Sequence, residues 1–116
     1  MLGCDIIEID RVKLSINKFG DKFINRILSL SEIEIYNIRG KKAEFVAGRF
    51  SCKEAIAKAI GCGIGSQLSF VDIEILPDKN GKPYVKIKGC HRKDINVSIS
   101  HSRHNAISVC YILEDK

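Results

Sequence analysis

Phe50-Ser51-Cys52-Lys53-Glu54-Ala55-Ile56-Ala57-Lys58-Ala59-Ile60-Gly61 reads as a helix that closes at its glycine, and its upstream periodicity places the start near Glu44. Residues four apart on a helix lie one above the other, so Glu54 and Lys58 share a face, and so do Arg49 and Lys53. Phe45, Val46, Phe50, Ile56 and Ile60 fall on one arc, and Arg49 and Lys53 fall inside it. A solvated surface helix keeps such charges on its far side. Either this helix packs on several sides or its charges face a ligand, and the ligand is the favoured expectation.

Outward from this helix, Leu2 to Ile9 has strand character, with Gly3, Asp5, Ile7 and Ile9 on one face. A carboxylate on an apolar face costs several kcal/mol unless it is paired, metal-bound or at a wet strand end, which makes Asp5 a candidate functional group. Arg11 to Ile38 is helical, broken at Gly20 with Asp21 as the next cap, and Ser31 with Glu34 forms an expected capping box. Gly40-Lys41-Lys42 is a basic turn before the long helix. Beyond it, Gly61-Cys62-Gly63-Ile64-Gly65 lacks the Gly-Lys-Ser/Thr ending of a phosphate loop. Phe70 to Leu76 alternates, with Val71, Ile73 and Ile75 on one face. Asn80-Gly81-Lys82-Pro83 then turns the chain into Tyr84 to Ile87, a hairpin. A last hairpin pairs Ile95 to Ser100 with Ala106 to Leu113, and His101 continues the inward register of Ile95, Val97 and Ile99. The tail Glu114-Asp115-Lys116 is expected to fray.

The 116 residues suffice for one compact domain, 1–116, without a linker. No apolar run approaches the roughly 18 residues of a membrane span, and Asp5 stands where a signal peptide would be basic or apolar, so the cytoplasm is expected. Cys4, Cys52, Cys62, Cys90 and Cys110 are odd in number and lack Cys-x-x-Cys spacing, so they read as reduced thiols. A net charge of +5 suggests an anionic partner, and nucleic acid, a phosphate-rich small molecule and an acidic protein all qualify. Aromatic residues make up 7% of the chain and Trp is missing, which argues against a stacking platform for single strands.

Asp5, the pair Glu54 and Lys58, and His101 together allow a Mg²⁺ site. That ion takes one or two carboxylates, several waters and substrate phosphates. Spacing alone leaves this as one arrangement among several, beside an ordinary helical Glu54–Lys58 ion pair. A wider pattern covers nearly the whole chain. Gly3-x-Asp5-Ile6-x-Glu8-Ile9-x-Arg11 is followed in order by Gly48-Arg49-Phe50-x-x-Lys53-Glu54-Ala55-x-x-Lys58-Ala59 and Gly61-x-Gly63-Ile64-Gly65. Leu68-Ser69-Phe70-x-Asp72-Ile73-Glu74-Ile75, Asn80-Gly81-Lys82-Pro83 and Val97-Ser98-Ile99-Ser100-His101 complete it. In this pattern the chain resembles the bacterial holo-acyl-carrier-protein synthases, small 4′-phosphopantetheinyl transferases.

The resemblance implies an α+β fold, with antiparallel strands packed against one long helix and shorter ones, assembled as a homotrimer with coenzyme A in clefts between subunits. It implies transfer of the 4′-phosphopantetheine arm of coenzyme A to a serine of apo acyl carrier protein, releasing adenosine 3′,5′-bisphosphate, in the service of fatty-acid synthesis. Mg²⁺ would be held by Asp5 and Glu54, with Lys58 and His101 matching the motif lysine and histidine. The serine proton would go to Asp5 or to a metal-held water. Arg49 and Lys53 are expected at coenzyme A phosphates, and Lys41 and Lys42, on charge and position only, are candidates for its 3′-phosphate. Asn80 and Pro83 are expected near the adenine, though a plain hairpin turn explains them equally. Arg11 matches a docking residue for the acidic carrier protein, with Lys13, Lys18, Lys22 and Arg26 as possible helpers. Cys52 and Cys62 are expected near the site, where oxidation would matter. The rival classes are a basic nucleic-acid-binding module, which leaves Asp5 and Glu54 unexplained, and a non-catalytic subunit of this fold.

Overall fold

The long helix takes its course because two separate cores pack against it. In the computed structural model, which describes residues 1–113, α4 runs Ala43–Ile60, and eleven of its eighteen positions are buried. One core packs Cys52, Ile56 and Ala59 against Ile73, Ile75, Val85, Cys110 and Ile112. The other packs Val46 and Ala47 against Ile9, Val12, Ile24, Ile27, Leu28 and Tyr36. A helix apolar all round is a buried helix. Gly61 ends it in the left-handed conformation (φ 95°), its N–H donating to the Ala57 carbonyl.

Two antiparallel sheets clasp this helix. The first has the order β1 (Leu2–Glu8), β6 (Asn105–Ile112), β5 (Ile95–His101), so the first and last strands are neighbours. Its register pairs Asp5 with Ser108 and Ser108 with Ile99. Gly3, Ala106, Ser108, Cys110 and Ile112 on its inner face are buried, whereas Leu2, Ile6, Ile107, Val109 and Tyr111 on the outer face are exposed. The second sheet has the order β2 (Ile73–Pro77), β3 (Pro83–Ile87), β4 (Cys90–His91). Asp78 accepts from the backbone N–H groups of Asn80 and Lys82, and Gly81 adopts φ 85°, so the expected hairpin turn is present.

Helices α1 (Ile9–Phe19), α2 (Asp21–Ile27) and α3 (Leu30–Ile38) fill the second core. Several boundaries differ from expectation. The strand ends at Glu8, and Gly20 rather than Asp21 occupies the cap of α2. Phe70–Asp72 is a 3₁₀ turn with Val71 exposed, so only Ile73 and Ile75 face the core. The capping box is Ser29 with Glu32, two residues upstream of the expected pair. Both frames satisfy the Ser-x-x-Glu pattern. Only the upstream one places its glutamate where a buried lysine can neutralise it.

That lysine is Lys53. Its ammonium donates to Glu32 Oε1 and to the Ile27 carbonyl, and both charged side chains are fully buried. Lys53 therefore cannot reach coenzyme A phosphates, and the ligand role expected for it is corrected: at this position the helix packs on several sides. Burial pushes Lys53 below the ordinary lysine range, and Glu32 opposes that shift. Lys53→Met strands a buried carboxylate and is expected to lower unfolding stability by about 3–5 kcal/mol, read from urea midpoints. Glu32→Gln/Lys53→Met removes both charges and is expected to recover most of the loss; an equal loss in both variants would contradict the pairing.

Candidate active site

Asp5 reaches the long helix because Gly3 has no side chain. A Cβ on Gly3 would lie 2.1 Å from the Ala55 carbonyl oxygen and 2.8 Å from the Ala59 nitrogen. The backbone of β1 thus rests directly on α4, and Asp5, two residues on and on the same face, follows it onto the helix. Asp5 and Glu54 line one cavity of about 400 Å³, whose walls include Arg11, Phe23 and Phe50. Lys58 donates to Asp5 Oδ1 at 2.9 Å and to the Cys4 carbonyl at 3.3 Å, bridging strand and helix. The hydrogen bond from Lys58 to Asp5, then the charge of that carboxylate, raise the Lys58 pKa and keep it cationic at neutral pH.

The donor set suits a hard cation. No group of three metal-ligating side chains occurs among the described residues, so a zinc-type cage has no support. Two carboxylates in an open cavity match Mg²⁺, which keeps waters and borrows phosphate oxygens. Burial first, then the Asp5 charge, hold the Glu54 carboxyl above the ordinary glutamate range, with Lys58 opposing.

The other expected residues gather elsewhere. His101 ends β5 and lines a second cavity of about 450 Å³ with Lys42, Arg39 and Arg49. Arg49 also lines a third, of about 440 Å³, with Gly81, Lys82 and Pro83. Neither shares a lining residue with the Asp5–Glu54 cavity. Asp5 and His101 lie two strands and two residues apart, about 12 Å between Cα atoms at ordinary sheet spacings. One chain therefore keeps the expected site residues in separate groups. Lys41, at φ 55° in the turn before α4, is exposed and lines none of these cavities, and neither does Asn80.

Arg49 differs from the expectation of a free phosphate-binding cation: it is 9% exposed, and its Nε donates to the Ile75 carbonyl at 3.2 Å. Cys52 is buried and its thiol is pushed up to about 12, chiefly by burial, so it stays protonated and the oxidation expected of it is corrected. Cys62 is exposed in the turn after α4. Sequence reasoning missed Arg39, whose place just before the basic turn was its one signal, and the aromatic walls Phe23 and Phe50, which look like ordinary core residues.

Residues 1–111 match the family model described as the 4′-phosphopantetheinyl transferase superfamily. The chain belongs to that superfamily. It is 44% identical over 119 residues to the holo-[acyl-carrier-protein] synthase of Chloroherpeton thalassium, covering 99% of this chain and 98% of that protein. Its fold matches the Helicobacter pylori holo-[acyl-carrier-protein] synthase in complex with coenzyme A at a TM-score of 0.86, with 34% identity over 97% of this chain and 100% of that one. The Bacillus anthracis synthase in complex with CoA (3′,5′-ADP) matches at 0.79, with 42% identity over 94% and 91%. The α+β class expected from the resemblance is the class of these transferases and of this structure.

Acidification protonates Glu54 at a higher pH than it would a free glutamate, because its pKa is raised. Asp5→Asn removes one cause of that shift, so the Glu54 midpoint in a carboxyl-carbon NMR titration is expected to move down. An unchanged midpoint would show that the two carboxylates do not sense each other.

Proposed function

We propose that this transferase moves the 4′-phosphopantetheine arm of coenzyme A onto a serine of apo acyl carrier protein, with Mg²⁺, and releases adenosine 3′,5′-bisphosphate. The observation that carries the reading is the convergence of Asp5 and Glu54 in one cavity, with Lys58 bonded to Asp5. The names of the synthases that resemble the chain, and the ligands named with two of the solved ones, support the same substrate pair.

In the reaction the serine oxygen forms a bond to the phosphorus that carries the pantetheine arm, and the pyrophosphate P–O bond breaks. The electron pair leaves on the 5′-phosphate of the nucleotide. The serine proton passes to Asp5 or to water beside it. Asp5 and Glu54 would hold Mg²⁺, which would supply charge neutralisation at the pyrophosphate. Lys58 presents a fixed cation to the same oxygens, and its bond to Asp5 holds that carboxylate in place. His101 donates a hydrogen bond to a phosphate oxygen from the other half-site, where Arg49 and Lys42 face the nucleotide and Pro83 flanks the adenine. Positioning accounts for much of the remaining rate.

The two half-sites complete each other when copies of the chain associate, and we propose the homotrimer with shared clefts. The exposed outer face of the first sheet supports this: Leu2 is 69% exposed, Ile6 62% and Tyr111 50%, and a contiguous apolar sheet face of this kind marks an association surface. Arg11 stands at the mouth of the Asp5–Glu54 cavity on α1, whose exposed Lys13, Leu14 and Lys18 suit an acidic carrier protein. Five free cysteines, and no helix among the described residues long and apolar enough to cross a membrane, accord with the cytoplasmic setting we assign. A nucleic-acid partner is disfavoured, because bare carboxylates repel phosphates in the cavity.

Mass spectrometry of apo carrier protein incubated with the chain, coenzyme A and Mg²⁺ is expected to show the added arm; no addition would refute the reading. Asp5→Ala and Glu54→Gln are expected to cut turnover by about a thousandfold or more, and His101→Ala by about 10–100-fold. Mixing Glu54→Gln chains with His101→Ala/Arg49→Gln chains is expected to restore activity above either alone, since each variant keeps the half-site the other lacks. No restoration after co-refolding would count against shared clefts.

A further inference from the structure

Arg49, like Arg39, lines both cavities on the His101 side, and Arg49 is the buried one of the two, with very little freedom to move. Its Nε donates to the Ile75 carbonyl, and its guanidinium lies over the Phe45 ring, 4.4 Å from the centroid. Its terminal nitrogens have no hydrogen-bond partner among the described residues, and no buried polar side-chain atom there lacks one, so these nitrogens open onto the cavities. A planar fork held by its inner nitrogen and stacked on a ring is oriented for bidentate capture of a phosphate oxygen pair.

Behind this fork lies Glu32, fully buried and out of reach of any substrate. Its Oε2 stands 4.0 Å from Arg49 Nε and accepts from the Ile75 N–H at 2.9 Å. Its Oε1 accepts from the Ser29 N–H and from Lys53. One carboxylate therefore acts on Arg49 in two ways. It attracts the guanidinium directly, and it anchors the residue whose carbonyl accepts the Nε hydrogen bond. Helix α3 carries Glu32 and strand β2 carries Ile75, so the charge also ties two elements that meet beside α4.

We propose that Glu32 is a positioning residue for coenzyme A: it acts through Arg49 and Ile75, holding the Arg49 fork at the angle that captures a phosphate of the nucleotide. This rests on the transferase reading above. It assigns a substrate-binding consequence to a residue that touches no substrate.

The test compares wild type, Glu32→Gln and Glu32→Gln/Lys53→Met, the last keeping the readout available if the single variant fails to fold. Wild type must first transfer the arm; a wild type without transfer overturns the reading and the proposal with it. Given transfer, both variants are expected to raise the KM for coenzyme A about tenfold, with kcat held within about threefold and the KM for carrier protein unchanged, the signature of lost uniform binding. In an Arg49→Ala background the Glu32 substitutions are expected to add less than about twofold, because the residue they act through is gone. Glu32→Asp, which keeps the charge, is expected to recover part of the affinity. An unchanged coenzyme A KM, a fall in kcat alone, or the full effect persisting without Arg49 overturns the proposal while leaving the transferase reading intact.

Discussion

A missing side chain holds the candidate active site together. With no Cβ on Gly3, β1 closes onto the backbone of α4 at Ala55 and Ala59, nearer than any other residue allows. The alanines opposite complete the fit, since a larger residue there would restore the gap. Everything chemical at this end follows from that contact. Asp5 lands beside Glu54, and Lys58, one helical turn beyond Glu54, reaches back to bond the strand. Two acids and a base from opposite ends of the site's chain segments become one electrostatic unit. Burial first, and then the neighbouring Asp5 charge, raise the Glu54 pKa, and a divalent cation with phosphate ligands would oppose both.

A second constraint is electrostatic and lies on the far side of α4. Burial of Lys53 is tolerable only because Glu32 meets it, and burial of Glu32 only because backbone N–H groups and Lys53 satisfy its oxygens. This pairing chooses between two overlapping Ser-x-x-Glu frames and so sets where α3 begins. It also explains why a helix that carries Arg49 and Lys53 inside its apolar arc is stable without presenting both to solvent. Only Arg49 retains a path to the cavities. Neighbouring cations four residues apart thus have different duties, one within the core and one at its edge.

The separation of Asp5 from His101 follows from sheet order. Strand β6 intervenes between β1 and β5, so Asp5 and His101 stand on opposite margins of the same sheet. The intervening inner-face positions are occupied by small or apolar residues, among them Ser108 and Ile99, which pack rather than react. The outer face of the sheet is apolar and exposed, and it lies behind the strands that carry Asp5 and His101. Folding positions each group, and only the proposed association of copies would bring the two together.

Much of this molecule was legible in the chain because its signals are local. Alternation marked the strands, Asn80-Gly81 marked the turn, Gly61 marked the helix end, and an acid on an apolar strand face singled out Asp5. Glu54 with Lys58 was readable because helical spacing is fixed. Lys53 was misread for the same reason: a helical wheel reports which residues share a face, and says nothing of what faces them. The choice of Ser29 over Ser31 as the cap, the burial of Glu32 and the separation of His101 from Asp5 all depend on partners distant in sequence. Local pattern decides which elements form; long-range charge pairing and close backbone approach decide which groups meet, because desolvation and contact energies exist only once the chain has folded.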